Sequence, residues 1–103
     1  MKPILIYVTT PAGEGEKIAA ALLEKNLVAC ANIMAPHQSI YKWKGKVERG
    51  TESVVIFKTR ESLFEQVRAE ICALHSYECP CIVALPIVAG HEPFLQWIEE
   101  QTA

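Results

Sequence analysis

The sequence predicts an α+β fold, one antiparallel sheet with helices packed on a single face. Three observations carry this. Apolar strand-like runs alternate with two segments of helical periodicity in the order strand, helix, two or three strands, helix, strand. A further helix closes the chain. The 103 residues, half of them apolar, fit one domain, since domains cluster at roughly 100–150 residues.

The elements follow in order. Ile4 to Thr10 is too continuously apolar for an exposed edge and suits a central strand. Pro11-Ala12-Gly13 breaks it. Glu14 to Lys25 is rich in helix formers, with Ile18, Ala21, Leu22 and Lys25 on one stripe, and Asn26 is placed to stop it in a left-handed conformation. Leu27 to Met34 is a second apolar run, ended by Pro36. Ser39 to Val47 alternates, placing Tyr41, Trp43, Gly45 and Val47 on one face and Ile40 with three lysines on the other. Gly50 marks a turn, and Glu52 to Thr59 is a further strand. Ser62-Leu63-Phe64-Glu65 fits a capping box, followed by an apolar stripe of Leu63, Phe64, Val67, Ile71 and Leu74 with Cys72 beside it. After a short connection come the strand Ile82–Val88 and a helix that begins near Glu92-Pro93. This order is the split βαβ arrangement, a ferredoxin-like βαββαβ sandwich over residues 1–103 with an extra C-terminal helix. The open face of such a sheet needs cover. Small domains bury a low fraction of their surface, so the generous apolar content points to a homo-oligomer.

Net charge is −2, with acidic and basic residues interspersed, which argues against nucleic acid as the main partner. No apolar run approaches the ~18 residues of a membrane span, and no cleavable signal pattern precedes Ile4. A cytoplasmic location is expected. There the four cysteines are thiols, and Cys30 and Cys72 read as small buried hydrophobes.

The densest chemistry lies in His75-Ser76-Tyr77-Glu78-Cys79-Pro80-Cys81, between a helix and a strand. No glycine-rich oxyanion turn or nucleophile elbow accompanies it, so no catalytic residue is assigned. The Cys-x-Cys spacing also differs from that of thioredoxin-type redox motifs. Soft thiolates select Cu(I) or Zn. On an extended chain residues 79 and 81 project to the same side, so both thiols could bind one ion, with His75 and Glu78 as further ligands. Two thiols packed at a strand start is the competing interpretation, as a favourable helix-end position is for His75. His37 and His91 fall in turns, and Glu48, Glu52 and Lys58 read as solvated polar groups at a sheet end.

Taken together, Leu27-Val28-Ala29-Cys30-Ala31-Asn32-Ile33, Ser39 to Glu48, His75 to Pro80 and Phe94-Leu95-Gln96-Trp97-Ile98 resemble the CutA divalent-cation tolerance family, nearly end to end and in the family's order. The resemblance implies a tight homotrimer related in architecture to PII signalling proteins. It also implies a non-enzymatic, cytoplasmic role in tolerance to copper or another divalent metal ion. It maps the family's characteristic positions onto Tyr41, Trp43, Glu48, Lys58, His75, Tyr77, Glu78, Pro80 and Trp97, around clefts between subunits, with His75 the position most readily given to metal. A PII-like regulatory module, binding a small ligand in that cleft and signalling to a partner, is the alternative. The chain departs from the family at Ser76, usually proline, and at Cys81, usually glutamate. A thiolate in place of a hard carboxylate moves the site towards softer ions.

Overall fold

The computed structural model describes residues 1–103. The elements are β1 (Pro3–Pro11), α1 (Gly15–Glu24), β2 (Cys30–Ile33), β3 (His37–Trp43), β4 (Lys46–Arg60), a 3-10 turn (Glu61–Leu63), α2 (Phe64–Leu74), β5 (Ile82–Pro86) and α3 (Glu92–Gln101). They form one antiparallel sheet in the order β2-β4-β1-β5, with β3 also paired to β4. Glu52 is opposite Pro11 on one side and His37 on the other, so β2 and β3 lie end to end along the same edge of β4.

Strand alternation sorts residues onto two faces. Ile4, Ile6 and Val8 from β1 and Val55 and Phe57 from β4 are buried with Ile18 and Leu22 of α1 and Val67 and Ile71 of α2. Burying such a side chain contributes roughly 1.5–3 kcal/mol each, so this layer anchors the fold. The opposite face carries Leu5 and Tyr7, which are paired in register with Leu85 and Val83 on one side and with Lys58 and Ile56 on the other. Val83 and Leu85 are half exposed, at 49% and 50%. At one end of that face Arg60 holds α3: Nη2 donates to the Glu99 carbonyl at 2.6 Å and Nε to Thr102 Oγ1 at 3.0 Å.

The end of α1 is as expected. Asn26 has φ 56°, the Leu27 N–H donates to the Leu22 carbonyl, and the Asn26 N–H to that of Leu23, the paired bonds of a Schellman stop. The start of α1 packs against the sheet so tightly that a Cβ on Gly15 would lie 2.6 Å from Val55 Cγ2. Val55 is fully buried and β-branched, so it has little room to yield. Gly15→Ala is expected to cost about 1–3 kcal/mol in denaturant unfolding, the range for overpacking a core; a neutral result would show that the helix can slide.

Several expectations are corrected. Ser39 to Val47 is not one strand: Lys44 and Gly45, at φ 51° and 81°, form a two-residue turn, so β3 and β4 make a hairpin with Trp43 opposite Lys46. Gly50 is no turn but lies within the fifteen-residue β4, opposite Ser39. The capping box does not form, because Ser62 sits inside the 3-10 turn and α2 starts without a side-chain cap. Only Cys30–Ile33 of the second apolar run pairs as strand, Leu27 to Ala29 forming a buried connector. Cys72 is exposed on α2, and β5 ends at Pro86, short of the 92%-exposed Val88.

Candidate functional site

The connection from α2 to β5 is held at three successive residues by groups distant in sequence. His75 leaves the helix in an extended conformation and is buried. Its Nε2 lies 2.8 Å from the Thr9 carbonyl oxygen, which can only accept, while Nδ1 accepts from the Tyr77 N–H at 3.1 Å. The ring therefore carries its proton on Nε2. Ser76 donates twice to one carboxylate, its N–H to Glu14 Oε1 at 2.7 Å and its hydroxyl to Oε2 at 2.8 Å. A proline there could make neither bond, which gives the serine a local reason. Tyr77 packs on the His75 ring, centroids 4.7 Å apart, and donates its hydroxyl to Glu52 Oε2 at 2.8 Å.

Burial, reinforced by that bond and by the charge of Glu52, pushes the Tyr77 phenol up to about 12. The shift favours the neutral phenol in the folded state. Its contribution to stability is therefore complete below the unfolded value of 10.0 and is lost as pH rises through about 12. Alkaline titration followed by tyrosinate absorbance is expected to show a late step near pH 12 that Tyr77→Phe removes; an unchanged profile would contradict this environment.

A cleft of about 640 Å³ opens beside the loop. Tyr41 and Trp43 of β3, Glu52 of β4, and Tyr77, Glu78, Cys79 and Cys81 line it. The two thiols thus share one cavity, unpaired and exposed. Their placement does not follow from an extended chain, because residues 77–79 form a bend and β5 begins at Ile82. Glu78 lies at the exposed rim, 3.8 Å from the equally exposed Lys44 at the hairpin turn, a contact of a kind contributing roughly 0–1 kcal/mol.

Not every expected residue gathers there. His75 backs the cleft and does not line it, and with both nitrogens engaged it has no free lone pair for a metal. Within the subunit no three His, Cys, Asp or Glu side chains stand as a preformed metal-holding group, and of the four expected ligands Glu78, Cys79 and Cys81 line the cleft while His75 does not. Glu48 stands opposite Tyr41 on the exposed hairpin and Pro80 is half-buried, neither lining the cleft. Lys58 donates to Asn32 Oδ1 at 3.0 Å, and Trp97 stacks on Phe94 with centroids 5.4 Å apart, both outside the lining. Two residues hold roles that the sequence reading did not give them, Glu52, read there as solvated, and Glu14. Neither had a local signal: Glu52 is one of several polar residues of β4, and Glu14 lies in the turn before α1.

The comparisons agree with this architecture. The family model described as CutA1 divalent ion tolerance protein matches residues 4–101. The chain is 51% identical over 96 residues to the divalent-cation tolerance protein CutA of Archaeoglobus fulgidus, spanning 92% of this chain and 93% of that one. The solved structure of the A. fulgidus periplasmic divalent cation tolerance protein CutA superposes with a TM-score of 0.94 at 48% identity, covering 98% of this chain and 99% of that one. The divalent cation tolerance protein of Thermus thermophilus gives 0.95 at 38% identity, covering 98% and 99%. With the family model spanning almost the whole sheet and its helices, the chain belongs to the CutA1 divalent ion tolerance protein family.

Proposed function

We propose that this chain, as a single domain, acts in metal tolerance by binding a soft ion, copper above all, through Cys79 and Cys81 with Glu78 beside them. The observation that carries this is the opening of both unpaired thiols onto one cleft. Thiolates prefer Cu(I) and Zn over harder ions, and the Glu78 carboxylate stands at the rim of the same cleft. His75 serves this site as a positioning residue, through its bonds to Thr9 and Tyr77. With that imidazole engaged, the cleft offers no free histidine base for its thiols, which supports a non-enzymatic reading. The half-exposed apolar residues Val83 and Leu85 support a homotrimer in which neighbouring copies cover the open sheet face and complete the cleft. Four free thiols suit a reducing compartment, and hence the cytoplasm.

Titration of the reduced protein with Zn(II) and with Cu(I) tests this. The double substitution Cys79→Ser with Cys81→Ser is expected to weaken binding more than roughly tenfold without unfolding the chain. Equal affinity for both proteins would remove the thiol site. The cleft also supports a second reading, a PII-like regulatory module with a partner protein, because its volume lies in the range of small-molecule sites.

A further inference from the structure

We propose that Glu14 is a positioning residue for the thiol loop: through its two bonds to Ser76 it sets the direction in which residues 77–81 leave α2, and so where Cys79 and Cys81 stand. Its bearing on metal rests on the thiol reading given above. Glu14 occupies the N-cap position of α1, yet its side chain makes no bond to that helix. A polar side chain at this position commonly accepts from the free N–H groups of the first turn. Here both carboxylate oxygens reach across 62 residues of sequence instead, Oε1 to the Ser76 N–H at 2.7 Å and Oε2 to the Ser76 hydroxyl at 2.8 Å. Bonds to an ionised acceptor are the stronger kind, and two of them on one residue fix its orientation as well as its place.

The course of the loop explains why this tie matters. His75 is extended, at φ −78° and ψ 139°, and successive side chains of extended backbone point to opposite sides. His75 and Tyr77 turn to the sheet, to the Thr9 carbonyl of β1 and to Glu52 of β4. Ser76 turns to the segment between β1 and α1. The two sheet ties alone leave the chain free to swing about the line that joins them, and the Glu14 tie removes that freedom. The turn that carries Glu14 is itself held: the Glu14 N–H donates to the Pro11 carbonyl at 3.1 Å, Gly13 takes φ 89°, and Gly15 packs against Val55. At the other end β5 starts at Ile82, opposite Val8. Both thiols thus lie in five residues between fixed ends. Two sulfurs must approach one ion together, so order imposed on this stretch before binding passes into affinity. All of these contacts are made within one chain and do not depend on which face neighbouring copies cover.

The test compares the full-length reduced protein with Glu14→Ala, Glu14→Gln and Ser76→Ala. Backbone N–H order parameters of residues 76–81 are measured by NMR without metal, and Cu(I) affinity by titration against a competing chelator. The parent loop is expected to be rigid, with order parameters near about 0.85, and Glu14→Ala to bring residues 78, 79 and 81 below about 0.6. Its Cu(I) affinity is expected to fall roughly tenfold, as for other residues that orient metal ligands. Glu14→Gln is expected to restore both, because its carboxamide can accept from the Ser76 N–H and donate to the hydroxyl oxygen. Ser76→Ala keeps the main-chain bond alone and is expected to fall between. An equally rigid loop in Glu14→Ala, or a Glu14→Gln loop as loose as that of Glu14→Ala, would overturn the proposal. So would a loosened loop with undiminished Cu(I) affinity where the Cys79→Ser with Cys81→Ser protein binds more weakly than the parent. If that double variant binds Cu(I) as the parent does, the thiol reading fails by itself, and the order parameters still decide the role of Glu14.

Discussion

Replacing His75 by alanine is expected to lower stability by about 2–4 kcal/mol, a large fraction of the margin of a domain this size. The ring makes two hydrogen bonds, and its loss would leave the Thr9 carbonyl and the Tyr77 N–H short of partners in a part-buried region. Each such loss costs roughly 1 kcal/mol or more, and the ring contact with Tyr77 adds about 0.5–1.5 kcal/mol. The loop from 76 to 81 would lose its anchor to β1, so metal affinity is expected to fall as a consequence of disorder. Urea unfolding and a metal titration on the same variant distinguish the roles. A variant that keeps its stability and loses its affinity would make His75 a ligand after all.

Leu85→Glu is expected to disperse the proposed trimer. Leu85 is half exposed on the sheet face opposite α1 and α2, in register with Leu5. If other copies cover that face, the new carboxylate is buried without a partner at each symmetry-related contact, costing several kcal/mol per site. Sedimentation equilibrium of the parent is expected to give three times the 11.5 kDa chain mass, and the variant a smaller species. A parent of single-chain mass, or a variant of unchanged mass, would contradict the proposed use of this face.

What the sequence made legible follows from how local the determining physics is. β1 declared itself by its continuous apolar run, the stripe of α2 by periodicity, and the stop at Asn26 by residue type. The hairpin was hidden because Lys44 continues the lysine alternation on either side and is not a typical turn residue, although its φ is positive. Gly50 was misleading for the opposite reason. Its missing side chain leaves room near the Tyr41 hydroxyl, which would lie 3.7 Å from a Cβ there, and the glycine marks no turn. The capping box failed because Ser62 was drawn into the preceding 3-10 turn.

The site divides in the same way. Tyr41, Trp43, Tyr77 and Glu78, which the block resemblance brings together, line one cleft within the subunit, and Cys79 and Cys81, which it does not supply, line it with them. The engagement of His75 depends on Thr9, 66 residues earlier, and that of Ser76 on Glu14, 62 residues earlier. Neither partner is visible in a local motif. Glu52 passed as a solvated group because nothing in its neighbourhood reveals that β1 and β3 flank it on both sides.

The most direct test of the proposed function is a crystal structure grown anaerobically with Cu(I), with the ion located by its anomalous scattering. The thiol reading predicts a peak within bonding distance of both Cys79 Sγ and Cys81 Sγ, with His75 still hydrogen-bonded to Thr9. A peak on His75 with the thiols unliganded, or no ordered copper near residues 78–81, would contradict it.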